Sequence, residues 1–203
     1  MKNIKILCIG DSHTAGFPLF DPLYGGNSQS SYEYWFNLLV TRKFPNASFE
    51  INNRGICGQT SNQVLNRLEV NLTKVKYDLV IFWAGANDIA LGYSVKTIWD
   101  NLWRAYFITR EKSIAILIVT IPPMNWPGIN SKISYLNEQI KKNSGFETYL
   151  CADVYTALVS KRNSTLNPLY DSGDGVHLSI DGYEQVGKEI FRKTTPFLTD
   201  ILK

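Results

Sequence analysis

The sequence predicts an α/β fold in which a five-stranded parallel sheet is covered by helices on both faces. Three observations carry that prediction. Strand signals recur at residues 4–9, 48–52, 79–83, 114–119 and 146–151, of which 4–9, 79–83 and 114–119 are short apolar runs rich in β-branched residues. Between them, apolar residues fall three and four apart, the spacing of one helix face. The alternation of the two patterns is that of strand–helix–strand units, whose right-handed crossovers place every strand-to-helix loop on one edge of the sheet.

Each element has its own signals. Residues 4–9 are almost continuously apolar, as a strand buried on both faces should be. Gly10 ends the run, and Asp11, Ser12 and Thr14 are types that begin turns and cap helices. After a loop at 17–30 carrying Phe17, Phe20 and Tyr24, Ser31 is placed to cap a helix bearing Tyr32, Trp35, Leu38 and Leu39, which Pro45 and Asn46 end. The second strand leads into a loop at 53–59, and Thr60 or Ser61 caps a helix with Val64, Leu65, Leu68 and Leu72 along one side. The third strand, 79–83, is the most apolar and stops at Ala84-Gly85-Ala86-Asn87-Asp88. Ser94 opens a long helix whose Ile98, Trp99, Leu102, Trp103, Tyr106 and Phe107 read as core packing. The fourth strand ends at Pro122-Pro123, and Ile133, Leu136 and Ile140 mark the next helix. The fifth strand is the weakest signal. An irregular stretch at 161–173 precedes a last helix with Tyr183, Val186, Ile190 and Phe191. With no repeat, linker or low-complexity segment, residues 1–203 read as one domain.

Composition narrows the classes. A 203-residue chain that is 44% hydrophobic can build a substantial core, and a formal charge of +3, with its basic residues scattered, offers no nucleic-acid footprint. Cys8, Cys57 and Cys151 cannot all pair internally and match no metal-binding spacing, so all three are expected reduced. The longest apolar run, 114–121, is too short to span a bilayer. Met1-Lys2-Asn3 runs directly into the first strand without room for a signal peptide, and a cytoplasmic location is the expectation. Phosphate-loop, HExxH and histidine-cluster patterns are missing, so no metal or cofactor is expected.

Candidate chemistry converges on one rim. Ser12, Gly58 and Asn87 each follow a predicted strand, which puts all three on the same sheet edge, where α/β proteins bind ligands. Singly they also read as a helix cap, a turn glycine and another cap. Only two histidines are present. His13 adjoins Ser12, but neighbours on a helical turn point in different directions. His177 lies three residues after Asp174, close enough for the carboxylate to fix the imidazole tautomer and leave the other nitrogen free to accept a proton.

Together, Gly10-Asp11-Ser12, Gly58-Gln59-Thr60-Ser61, Gly85-Ala86-Asn87-Asp88 and Asp174-Gly175-Val176-His177 resemble, in order and spacing, the blocks of the SGNH/GDSL hydrolase family. The segment from His177 to Tyr183 resembles that family's closing stretch. The resemblance implies a flavodoxin-like three-layer α/β/α sandwich and hydrolysis of acyl esters without a cofactor. It makes Ser12 the nucleophile, His177 the general base and acid, and Asp174 the residue that orients His177. The backbone N–H groups of Ser12 and Gly58 and the side-chain amide of Asn87 would form the oxyanion hole, with Gly58 admitting a close backbone approach. Asp11, His13 and Trp126 are expected beside a small-molecule ester. His13 departs from the family, which most often has leucine after the serine, and Asp88 reads as a structural hydrogen-bonding group. Lysophospholipase or thioesterase activity and carbohydrate deacetylation remain open within this reading. The rival from another class is a non-catalytic flavodoxin-like module whose Ser12–Gly16 loop cradles a phosphate or flavin.

Overall fold

The computed structural model describes residues 2–145 and 148–203. In chain order the elements are β1 (Lys2–Gly10), α1 (Ser12–Ala15), β2 (Phe20–Asp21), β3 (Gly25–Gly26), α2 (Tyr32–Lys43), β4 (Ala47–Gly55), α3 (Ser61–Lys74) and β5 (Leu79–Trp83). There follow α4 (Ala86–Ala90), α5 (Val95–Glu111), β6 (Ala115–Val119), α6 (Ile129–Asn143), β7 (Leu150–Ala152), α7 (Val154–Leu158) and α8 (Ile180–Leu202).

Five strands form one parallel sheet in the order β4-β1-β5-β6-β7, the flavodoxin-like arrangement, while β2 and β3 make a separate small hairpin. The period of two along each strand divides the core. Leu7, Ile9, Val80, Phe82, Ile116 and Ile118 face one layer, where they pack with the apolar sides of α3, α5 and α6. Ile6, Cys8, Ile81, Trp83, Leu117 and Val119 face the other, against α2 and α8. Both faces of β1, β5 and β6 are therefore largely dry, which is why those strands read as apolar runs, whereas the edge strand β4 is only half-buried. Ile98, Leu102 and Tyr106 of the α5 stripe are buried, with Trp99 and Trp103 packed against them.

Three details differ from expectation. The second strand extends from 48–52 to Ala47–Gly55, because the ladder with β1 continues to Gly10↔Gly55 and an edge strand tolerates polar residues such as Asn53. The fifth strand shortens to Leu150–Ala152, the residues that pair with Leu117–Val119; the part expected at Phe146 lies outside the described residues. Ser31 precedes α2, but its hydroxyl donates to Glu33 Oε2 at 2.6 Å and does not accept from the helix.

Candidate active site

The site begins where three strands end level. Gly10 pairs with Gly55 on one side and with Trp83 on the other. The turn of α1 folds straight down onto these ends. A Cβ on Gly10 would sit 2.1 Å from Thr14 Oγ1, and one on Gly55 would sit 2.0 Å from the Ala15 nitrogen, so only glycine fits beneath the turn. Asp11 caps α1 by accepting from the His13 N–H at 3.0 Å, which leaves Ser12 as its first residue.

Opposite Ser12, residues 174–177 form a tight turn in which Asp174 Oδ1 accepts from the backbone N–H groups of Val176 (2.9 Å) and His177 (2.8 Å). The other carboxylate oxygen lies 2.6 Å from His177 Nδ1, and His177 Nε2 lies 3.0 Å from Ser12 Oγ. Serine, imidazole and carboxylate are thus hydrogen-bonded in series across a separation of 165 residues in sequence. Partial burial pushes the Asp174 carboxyl up, but the hydrogen bonds from the His177 ring and the two backbone N–H groups outweigh it and hold it at about 2. A carboxylate facing Nδ1 places the ring proton there, so the Nε2 lone pair faces the serine. The Phe17 ring meets His177 edge-on, with centroids 4.6 Å apart.

Asn87 is held by its own donor: Nδ2 gives one N–H to the Gln59 carbonyl at 3.0 Å, and the amide retains a second. Gln59 is tied in turn. Arg67, on α3, donates from Nε to Gln59 Oε1 (2.6 Å), from Nη1 to the Arg54 carbonyl (2.6 Å) and from Nη2 to the Gly10 carbonyl (2.9 Å). Asp88 accepts from both the N–H (2.7 Å) and hydroxyl (2.6 Å) of Ser61, joining the starts of α3 and α4. Burial raises its carboxyl above the usual range, against the pull of those bonds. Thr60 is the residue that caps α3, its N–H donating to Gln63 Oε1.

A cavity of about 190 Å³ opens over this arrangement, lined by Ser12, His13, Asn87, Trp126, Asp174 and His177 together with Ala86, Ala90, Met124 and Val176. One expected site residue needs correction. Asp11 does not line the cavity; it is 1% exposed and its Oδ1 caps the N-terminus of α1. Gly58 has a φ of +77°, which by itself demands glycine, and no protein atom lies within 4 Å of its Cβ position. It also lies outside the cavity lining. His13 does line the cavity, but both ring nitrogens are engaged within the protein. Sequence reasoning missed Arg67 and the apolar lining from Ala86, Ala90 and Met124. Arg67 had a signal: it stands three residues after Val64, on the buried side of α3, where an unpaired cation has no place.

A flavodoxin-like sheet with a serine, an imidazole and a carboxylate hydrogen-bonded in series at its carboxyl edge is an arrangement suited to a hydrolase. A family model of the GDSL-like Lipase/Acylhydrolase family matches residues 8–185, and the chain belongs to that family. It is thus an enzyme, an SGNH-type hydrolase, and not the non-catalytic module weighed above. The fold is similar to that of a member of the lipolytic protein G-D-S-L family from Veillonella parvula DSM 2008 (19% identity over 95% of this chain and 98% of that one, TM-score 0.74). It is likewise similar to the lipase/acylhydrolase from Enterococcus faecalis (22%, 95% and 96%, TM-score 0.73) and to the psychrotrophic esterase EstA from Pseudoalteromonas sp. (20%, 96% and 98%, TM-score 0.69). Among curated proteins none matches by sequence. Among the described residues, no helix is long and apolar enough to cross a membrane.

Proposed function

We propose that this hydrolase cleaves carboxylic esters of short acyl chains, with Ser12 as nucleophile, His177 as general base and acid, and Asp174 orienting His177. The observation that carries this is the hydrogen-bonded series from Ser12 Oγ through His177 to Asp174, at 3.0 and 2.6 Å. As Ser12 Oγ attacks the ester carbonyl, its proton passes to His177 Nε2, and the resulting imidazolium is stabilised by the Asp174 carboxylate. The carbonyl oxygen becomes an oxyanion, for which the backbone N–H groups of Ser12 and Gly58 and the free N–H of Asn87 are the donors. His177 then gives the proton to the leaving alkoxide. A water molecule, deprotonated by the same nitrogen, releases the acid from the acyl-enzyme.

The short-acyl preference rests on size. A cavity of about 190 Å³ is smaller than the ~300 Å³ at which pockets for drug-sized ligands begin, so a long chain would lie largely in solvent. Each unburied CH₂ forfeits roughly 0.8 kcal/mol. The relative EstA has another structure inhibited by monoethylphosphonate, which makes a phosphonate the natural probe. A fluorophosphonate should label Ser12, and kcat/KM on p-nitrophenyl esters should peak at two to four carbons (roughly, from the CH₂ argument). Ser12→Ala should abolish both labelling and turnover. Turnover that survives in the alanine variant overturns the mechanism; kcat/KM rising steadily to long chains overturns the acyl preference alone.

A further inference from the structure

His13, the residue that departs from the family pattern, is almost fully buried, yet both its ring nitrogens have polar partners. Nε2 lies 3.1 Å from the Val176 carbonyl. A carbonyl oxygen only accepts, so this contact is a hydrogen bond when the ring proton is on Nε2, and we place it there because the contact is shorter than the 3.3 Å one at Nδ1, whose partner oxygen already accepts a backbone N–H. Nδ1 lies 3.3 Å from Asp11 Oδ1, the same oxygen that accepts the His13 backbone N–H. The ring is seated between Trp83 (centroids 5.1 Å apart) and His177 (5.5 Å).

This places two contacts side by side. Ser12 meets His177 at 3.0 Å, and their chain neighbours His13 and Val176 meet at 3.1 Å. The remaining bonds of the 174–177 turn run elsewhere: the Gly175 carbonyl accepts from the Asn125 N–H, the Gly175 N–H goes to Asp171, and the His177 carbonyl accepts from Ser172. Tyr183 Oη reaches the Phe17 carbonyl at 2.7 Å, but it does so from within α8, beyond the turn. Among the described residues, His13–Val176 is therefore the hydrogen bond, other than the reactive one, that joins the nucleophile turn directly to the turn of the base.

Building on the proposed mechanism, we infer that His13 is a positioning residue: its Nε2–H clasps the Val176 carbonyl and thereby holds His177 at hydrogen-bonding distance from Ser12. A reactive hydrogen bond that must form and break during each turnover is a poor anchor for its own geometry. The clasp supplies an anchor that does not change during the reaction. Leucine fills the same space but has no donor for Val176, so a chain carrying it has to hold the base by other contacts.

The test exploits the two ring nitrogens separately. A glutamine amide nitrogen reaches about as far as His Nε2, whereas an asparagine amide nitrogen reaches only as far as Nδ1. His13→Ala, His13→Leu and His13→Asn should each lower kcat by roughly 10- to 100-fold, the scale of misplacing a catalytic group by about 1 Å. KM should stay within about threefold, because the pocket walls remain. His13→Gln should restore most of the lost kcat. The rate of Ser12 labelling by a fluorophosphonate should follow the same order, with circular dichroism confirming that each variant is folded. Equal kcat for the Gln and Asn variants, or wild-type kcat in the Leu variant, overturns the clasp. If His13→Ala does not fold, the Gln and Asn variants alone decide. His177→Ala and Ser12→Ala controls separate the two readings: activity persisting in them defeats the mechanism, whereas inactive controls beside a fully active His13→Asn defeat only the positioning role.

Discussion

Glu33→Gln should convert a pH-sensitive fold into a much less sensitive one. Glu33 lies in the first turn of α2, where the helix dipole favours an anion by about 0.3–1 kcal/mol, and its Oε2 accepts from Ser31 at 2.6 Å. Burial overwhelms both, raising the carboxyl from 4.5 to about 8 while Oε1 finds no partner. The folded protein thus keeps a proton on Glu33 in a range where the unfolded chain has lost it. The stability this contributes is complete below about pH 4.5 and is lost as pH rises through 8. At about 1.4 kcal/mol per pH unit the full span amounts to roughly 5 kcal/mol, a large share of an ordinary domain's stability. Urea melts followed by tryptophan fluorescence at pH 5, 6, 7 and 8 measure it. The Gln variant should gain on the wild type by roughly 1–1.3 kcal/mol with each unit, least in the last step as the folded protein begins to lose the proton, whatever constant offset the new amide introduces. Parallel curves for the two proteins would refute the assignment of a neutral buried Glu33.

Three further outcomes follow from the site. Asn87→Ala should reduce kcat by roughly 10²- to 10³-fold with little change in KM, and Asn87→Asp should be worse because an ionised carboxylate repels the oxyanion; a variant with full kcat and only a lowered Tm would remove Asn87 from the hole. Asp174→Asn should cut kcat by about 10⁴-fold, since the amide can donate to Nδ1 and so stabilise the wrong tautomer of His177; pre-steady-state kinetics should show the loss in acylation. Wild-type activity should not fall from protonation of Asp174 until pH approaches about 2, so an acid limb at higher pH belongs to another group, and its absence in Asp174→Asn would disprove that separation.

How much of this was legible depends on the range of the interaction. The strand ends at Gly10 and Trp83 were readable because an apolar run and a breaker are local signals. That Ser12 and Asn87 share one rim was readable from the crossovers, and that Asp174 and His177 lie together from their three-residue spacing and the ordered blocks that resemble a family. The length of β4 was not, since Asn53, Arg54 and Gly55 carry no strand signal and are held by pairing with β1. Nor were the short α1, α4 and α7, which have too few residues for any periodicity. The burial of Asp11 and the partner of His13 arise from contacts across the fold, with residues 163 apart meeting at Val176, and no single-sequence pattern encodes such pairs.

Arg67 has a consequence for how this rim can vary. One planar cation reads three carbonyl-type oxygens, from Gly10, Arg54 and Gln59, each approached along a different N–H direction. Lysine, a point charge on a flexible stem, cannot reproduce that fork. Ile56, Cys57 and Gly58 are exposed and look free to change, yet the half-buried Gln59 that follows is coupled through α3 to the ends of two strands. Grafting a longer loop to widen substrate choice therefore requires keeping Gln59 and Arg67 as a pair. A loop library that randomises Gln59 alone would be filtered by the loss of Asn87 alignment before any new ester was tested.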